Sequence, residues 1–166
     1  MEAGEPLAGR VNRRDMAIAF ALPVALLVPF VNRAFNIDEP MFIWTAQQIV
    51  QNPFDYFGGY VERSNELEPM YLYNQSPPGF SYVLALFGAI GGWSELVMRL
   101  ASLLAAGACG LGTYFVASRF CERPLLATGL TVLAPGFLVS GATVMTDVAL
   151  VACYVWAMYT GVRWVE

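Results

Sequence analysis

The stretch LASLLAAGACGLGTYFVAS, residues 100–118, runs for 19 residues without a charged side chain and decides the fold class. A helix needs about 20 predominantly apolar residues to cross the hydrocarbon core of a bilayer, so this stretch predicts a transmembrane helix. Its alanines and glycines let helix backbones approach closely, which is typical of packing between membrane helices. We therefore expect an all-α protein, built as a polytopic transmembrane helical bundle.

Four further uncharged apolar stretches lie on either side of this one: residues 16–32, 77–93, 124–146 and 148–162. Residues 124–146 are long enough to span, and residues 16–32 are long enough if slightly extended. Residues 148–162 are short, but Arg163 and Trp164 can anchor a longer helix at the interface. Residues 77–93 begin with Pro-Pro-Gly and end among glycines, which favours a segment that does not cross. The prediction is about four spans.

The composition supports a membrane protein. The 166 residues are 57% hydrophobic and only 13% charged, whereas soluble domains are roughly 25% charged. This excludes a soluble nucleic-acid binder, a disordered tail and an ordinary cytosolic enzyme. The chain has no histidine, so acid–base chemistry falls to carboxylates. The three cysteines lie in or beside apolar runs without paired spacing and are predicted to pack rather than to form disulfides: Cys109, Cys121 and Cys153.

The arginines indicate the topology. Three of them place the N-terminal segment, residues 1–15, in the cytoplasm: Arg10, Arg13 and Arg14. If residues 77–93 cross the bilayer, Arg119 and Arg123 fall outside. If these residues lie along the outer leaflet, the two arginines fall inside, where basic residues are favoured. Both topologies are open, and the arginine count favours the second.

The favoured topology makes residues 33–98 an extracytoplasmic loop with juxtamembrane helices. It also places three carboxylates on the same outer face, those of Asp38, Glu39 and Asp147. The other topology separates them by about 30 Å of bilayer.

The outer loop begins with a helix signal. Asp38-Glu39-Pro40 is typical of a helix start, with Asp38 as N-cap and proline in the first turn. Apolar residues then recur on one helical face, with glutamines 47, 48 and 51 facing away: Phe42, Ala46, Ile49 and Val50. This pattern predicts an amphipathic helix on the membrane surface.

The polar residues allow a functional and a structural interpretation each. Asp38 and Glu39 suit a general base or a metal ligand, and equally an N-cap with a favourable helix-dipole charge. Asp147 suits a functional carboxylate, or the first turn of a helix that begins at Thr146. Arg99 could pair with a carboxylate, hold a phosphate, or extend to the membrane surface as a flanking residue.

The order of four motifs carries a resemblance: Ile37-Asp38-Glu39, then QSPPGF at 75–80, ELVMRL at 95–100 and Thr146-Asp147. From about residue 13 to 163 the chain resembles the N-terminal part of the membrane-embedded GT-C glycosyltransferases. The most similar group is the dolichyl-phosphate-mannose protein mannosyltransferase-like one, which includes the bacterial lipid A aminoarabinose transferases. Residues 16–163 are thus expected to form the N-terminal part of such a transmembrane module.

The resemblance implies a glycosyltransferase that moves a sugar from a polyprenyl-phosphate donor to a hydroxyl of a lipid or protein acceptor. The active face would be extracytoplasmic, in a bacterial-type inner or plasma membrane. The implied catalytic residues are Asp38, Glu39 and Asp147, and the implied substrate-binding residues are Arg99, Gln75 and Pro78. No cofactor is implied with certainty; a divalent cation, if one binds, would fall to Asp38, Glu39 or Asp147.

Two other functions remain open. The chain could be a small non-enzymatic integral membrane protein or subunit, or a transporter fragment with Asp147 as a coupling-ion site. No nucleic-acid partner is expected. Members of the resembled family have more spans, so we expect a chain ending at Glu166 to be an N-terminal fragment of doubtful activity alone.

Overall fold

The chain is mainly helical and divides into two compact units. The computed structural model describes residues 11–63 and 66–165. Unit 1 comprises Met1–Pro29, Leu103–Gly141 and Asp147–Glu166, and unit 2 comprises Phe30–Ser102 and Ala142–Thr146. Arg10 and most of the predicted cytoplasmic segment lie outside the described residues.

The described residues form seven helices and one hairpin: α1 Arg13–Leu27, α2 Glu39–Gln51, β1 Tyr60–Arg63, β2 Glu66–Pro69, α3 Gly79–Gly91, α4 Glu95–Phe120, α5 Pro124–Val132, α6 Pro135–Gly141 and α7 Thr146–Val165. Short 3₁₀ turns follow α1 and β2, at Val28–Phe30 and Met70–Leu72. The predominantly helical fold class is confirmed.

Within the described residues, two helices are long and apolar enough to span a bilayer, α4 with 26 residues and α7 with 20. A third span is possible if α5 and α6 count together, although they are bent by 63° relative to each other. The count is therefore two or three, compared with the predicted four or so.

The break between α5 and α6 corrects the prediction of one uninterrupted helix over residues 124–146. Pro135 has no N–H to continue the α-helical hydrogen bonds, and its ring disfavours helical backbone at Ala134. Helix α5 therefore ends at Val132, and α6 begins anew at Pro135.

The first apolar stretch forms a shorter helix than expected. Asn12 caps α1, accepting a hydrogen bond from the backbone N–H of Arg14 at 3.1 Å. The 15 residues of α1 and the three of the following turn together extend about 28 Å. This is near the hydrocarbon thickness of about 30 Å, but regular α-helix accounts for only part of it.

The remaining apolar stretches also differ from their predicted lengths. Helix α7 begins at Thr146, two residues before the predicted start, and reaches Val165. Helix α3 has 13 residues and is thus about 20 Å long. That length is too short to cross a bilayer, as expected of a segment that does not cross; its placement at the outer leaflet stays a prediction.

Unit 1 is held together by close contacts at the glycines of α4, as the small residues of that stretch predict. A Cβ built at Gly107 would lie 2.6 Å from the Phe20 ring, and one at Gly112 would lie 2.7 Å from Val155. Trp156 donates its indole N–H to the Ala108 carbonyl oxygen at 2.9 Å. The glycines therefore let α1 and α7 approach the backbone of α4.

Unit 2 contains α2 packed along α3 and a hairpin that the sequence reading did not predict. The hairpin is antiparallel, with Tyr60 opposite Pro69 and Glu62 opposite Leu67. The buried face of α2 includes Ile43 but not Val50, which is half exposed. Three of the four predicted residues of the apolar face are buried, namely Phe42, Ala46 and Ile49. Val50 lies on the same face four residues after Ala46, but in the last turn of α2, where it is half exposed.

Candidate active site

Two adjacent carboxylates at the start of α2 have different environments. Asp38 occupies the N-cap position, where its side chain is exposed and makes no capping hydrogen bond. Glu39, the first residue of α2, is completely buried. The predicted helix start is confirmed, whereas the predicted capping contact of Asp38 is not formed.

The Glu39 carboxylate is fully engaged by donors of the same unit. Its Oε2 accepts from the Asn36 N–H at 2.8 Å, and its Oε1 accepts from the Val144 N–H at 3.0 Å. Arg99 binds both oxygens, with Nη1 at 3.4 Å from Oε1 and Nη2 at 3.1 Å from Oε2. Two-pronged pairing of this kind suits a buried carboxylate, because each oxygen is neutralised and hydrogen-bonded.

Arg99 is only 3% exposed, and its other three N–H groups donate to backbone carbonyls. Its Nε donates to Arg33 O at 3.2 Å, Nη1 to Ala142 O at 2.6 Å and Nη2 to Ala34 O at 3.2 Å. The guanidinium also lies over the Phe35 ring, 5.9 Å from its centroid. All five donors of the side chain are thus used.

These contacts define the Glu39–Arg99 cluster: the two side chains and the backbone groups of residues 33, 34, 36, 142 and 144. It joins the segment before α2, the second turn of α4 and the segment after α6. Of the interpretations left open for Arg99, the structure shows pairing with a carboxylate. In this arrangement no guanidinium N–H remains for a phosphate.

The Pro-Pro turn is attached to α2 through a buried amide. Asn74 donates from Nδ2 to the Thr45 hydroxyl at 2.8 Å and accepts at Oδ1 from the Ser76 N–H at 3.2 Å. Gln75, between them in the chain, is exposed, and Pro78 is half-buried at the N-cap of α3. The turn is therefore fixed in place while the predicted substrate-binding amide of Gln75 remains accessible.

Asp147 belongs to unit 1 and lies in the first turn of α7. A carboxylate there is favoured by the helix dipole, so this placement fits the structural interpretation of Thr146-Asp147. Among residues 11–63 and 66–165, no group of three or more acidic, cysteine or histidine side chains is arranged to hold a metal ion. All three cysteines are free; Cys109 is buried as a packing residue would be, Cys121 is half-buried and Cys153 is exposed.

The sequence reading missed Thr45 and Asn74. A signal for Thr45 existed, because it is a polar residue on the apolar face of α2 and buries its hydroxyl there. The three carbonyl oxygens that receive Arg99 carry no such signal, since every residue has one.

Comparison with known proteins identifies a family for more than half of the chain. Residues 75–166 match the profile of the dolichyl-phosphate-mannose-protein mannosyltransferases. The match includes Arg99 and Asp147 and begins after Asp38 and Glu39. The searches of curated proteins and of solved structures found no significant match.

Proposed function

Because the chain belongs to the dolichyl-phosphate-mannose-protein mannosyltransferase family of membrane glycosyltransferases, we propose that it takes part in sugar transfer from a polyprenyl-phosphate donor. The acceptor would be a hydroxyl of a lipid or protein, and the reaction would take place at the extracytoplasmic face. The family and the apolar helices make the chain an integral membrane protein.

The proposed reaction requires one base. The acceptor hydroxyl gives its proton to the Asp38 carboxylate as its oxygen bonds to the anomeric carbon of the sugar. The bond from that carbon to the phosphate oxygen breaks, and polyprenyl phosphate departs with the electron pair. Since the leaving group is already an anion, it needs no proton, and a chain without histidine can supply the remaining proton transfer.

The contrast between Asp38 and Glu39 is the observation that carries this proposal. Asp38 is exposed, whereas its neighbour is held by Arg99 and two backbone N–H groups. The cluster fixes the backbone on both sides of Asp38, which keeps its carboxylate available and positioned. In this proposal Glu39 and Arg99 are positioning residues, and Asp38 is the catalytic residue.

The other predicted site residues fit around this centre with different roles. The exposed Gln75 amide is available to bind a substrate hydroxyl, and Pro78 stiffens the turn that carries it. A divalent cation in unit 2 would fall to Asp38, because the Glu39 oxygens are occupied. Asp147 remains a predicted second acid on the sequence argument alone.

Replacement of Asp38 tests the proposed chemistry. Asp38→Asn keeps the size of the side chain but removes the base, so we expect the transfer rate to fall about 100-fold or more. The measurement is the initial rate of sugar transfer from a labelled polyprenyl-phosphate donor. Asp55→Asn, another exposed acid of the same unit, is the matched control and should keep the wild-type rate. Equal rates for wild type and Asp38→Asn would exclude Asp38 from the mechanism.

Thiol labelling tests the proposed face. Cys121 lies between α4 and α5 and should be cytoplasmic, so a membrane-impermeant maleimide should label it only after the cells are lysed. Cys153→Ser removes the exposed thiol of α7 from the background. In the same background, Leu67→Cys on the hairpin should label in intact cells. Labelling of Cys121 in intact cells would overturn the topology.

A further inference from the structure

Unit 2 contains a groove of about 580 Å³ between α2 and the hairpin, outside the Glu39–Arg99 cluster. We call it the α2–hairpin groove. Its lining includes an indole, three amides, a phenol and a carboxylate: Trp44, Gln47, Gln48, Gln51, Tyr60 and Glu62. Its volume is within the range of about 300–1,000 Å³ typical of small-molecule sites.

The sequence builds this groove from two periodicities. Residues 44, 47, 48 and 51 follow the i, i+3, i+4, i+7 spacing of one helical face, opposite the apolar face of α2 that packs in the core. On β1, Tyr60 and Glu62 are exposed while Val61 between them is buried, as strand alternation requires. The polar stripe that looks like a solvated surface in the sequence is therefore one wall of a groove.

Each wall is fixed by local hydrogen bonds, and the Thr45 hydroxyl of α2 donates to the sulfur of Met70, which lines the hairpin side, at 3.3 Å. Gln48 donates from Nε2 to the Asp55 carbonyl oxygen at 3.1 Å, which leaves its Oε1 to accept from a ligand. The Met70 N–H donates to Gly59 O at 2.9 Å, closing the base of the hairpin beside the groove. The groove thus has a defined shape before any ligand binds, which lowers the entropic cost of binding.

The lining discriminates between ligand classes. None of the described lining residues is basic, so this part of the lining offers no positive charge to attract a phosphate or another anion. Three amides and a carboxylate are unsuited to a lipid tail. Two aromatic rings remain accessible, with Trp44 43% and Tyr60 67% exposed. A neutral ligand with one apolar face and several hydroxyl groups fits this combination.

We propose that the α2–hairpin groove binds a hexopyranose ring, because an exposed indole stands beside a row of three glutamine amides and a carboxylate. The C–H face of the sugar stacks on Trp44. Its hydroxyl groups, which both donate and accept, pair with the glutamines and Glu62. On the proposed function, on which this assignment of the source rests, such a ring comes from a glycan on the acceptor or from the sugar of a lipid-linked donor, and competition experiments distinguish the two.

The binding test uses the full chain in lipid nanodiscs, because sugar-headed detergents would compete for the groove. Methyl α-mannopyranoside is titrated, and binding is followed by saturation-transfer NMR and tryptophan fluorescence. Trp44→Ala and Gln51→Ala should each raise the Kd about tenfold or more, whereas Trp44→Phe should retain most of the affinity. Tyr71→Ala, which removes an exposed aromatic ring of unit 2 that does not line the groove, should bind as the wild type does.

The outcomes are separate from those of the transfer assay. Asp38→Asn should bind the methyl glycoside with wild-type affinity even if it abolishes transfer. Competition by polyprenyl-phosphate mannose would assign the groove to the donor sugar, and competition by a soluble mannose oligosaccharide alone would assign it to the acceptor. Absence of binding to the wild type, or equal binding by wild type, Trp44→Ala and Gln51→Ala, would overturn the proposal.

Discussion

The two ends of α4 belong to different units, and the contacts that stabilise these units differ in kind. In unit 1, the part of α4 from Leu103 onward presents glycines at which α1 and α7 approach its backbone, and Arg119 near its end lies over the Tyr159 ring. In unit 2, the first turns of α4 contribute Arg99, which forms a buried ion pair with Glu39. One apolar helix therefore combines close backbone packing with charge pairing.

The contact between α1 and α4 in unit 1 depends on a proline and a glycine. Pro23 has no N–H, so the carbonyl oxygen of Ala19, four residues earlier, lacks its usual helical partner. Gly110 lies beside that carbonyl, in a place where a Cβ would collide with Ala19 O. The close approach of the two helices is thus possible because α1 has a proline and α4 has a glycine without a side chain at the point of contact.

Unit 2 depends on charge in a chain that has little of it. Removing two charges from water is costly, and the cost is recovered only where the hydrogen bonds are complete. The Glu39–Arg99 cluster meets that condition, since both carboxylate oxygens and all five guanidinium N–H groups are bonded. Its stability should therefore be sensitive to loss of either partner, unlike the contacts of unit 1.

Arg99→Leu should have the largest effect on stability. It would leave the Glu39 carboxylate buried without a counter-charge and three carbonyl oxygens without their donor. We expect the free energy of unfolding to fall by about 3–5 kcal/mol, measured by denaturant titration in mixed micelles. Arg99→Lys should rescue little, because an ammonium group cannot form the two-pronged contact.

A double replacement tests whether Arg99→Leu is destabilising because it leaves the buried Glu39 carboxylate without its counter-charge. The double variant Glu39→Leu with Arg99→Leu removes both charges and should be closer to the wild type than Arg99→Leu alone. If Arg99→Leu unfolds at the wild-type denaturant concentration, the cluster does not stabilise unit 2 and the contrast with unit 1 is lost.

The fold class was predictable from the sequence, but the helix boundaries were less so. Runs without charge identify membrane helices because charged groups are costly in hydrocarbon, and this sufficed for α4 and α7. Pro135 is visible in the sequence and predicts a helix break, but a count of uncharged residues takes no account of prolines. The hairpin was missed because its alternation extends over only four residues in each strand, too few to stand out beside the aromatic and acidic residues of the loop.

The candidate site was predictable in its residues but not in their roles. Asp38 and Glu39 are adjacent acids, and the sequence cannot tell which of them faces the interior, because that depends on where α2 begins. Two of the three partners of Glu39 lie 60 and 105 residues further along the chain. Only the folded structure shows that Glu39 is held in a buried ion pair and that Asp38 is exposed.

Gly110→Ala should have a smaller effect, confined to the packing of unit 1. The added methyl group would collide with Ala19 O and would lie 2.9 Å from Pro23 Cγ. Because backbone cannot move aside as a flexible side chain can, we expect a loss of about 1–3 kcal/mol in the same titration. Wild-type stability of Gly110→Ala would mean that α1 and α4 are not in close contact.

Gly129→Ala completes the comparison with the smallest expected effect. Gly129 also lies within a helix of unit 1, but a Cβ there would meet no atom within 4 Å. Alanine is the better helix former by up to about 1 kcal/mol, so this variant should be neutral or slightly more stable than the wild type. Opposite signs for the two substitutions would show that Gly110 is required by the contact between helices. Equal losses of stability at both positions would mean that replacing glycine by alanine destabilises these helices regardless of their neighbours. Close packing would then not distinguish unit 1 from unit 2.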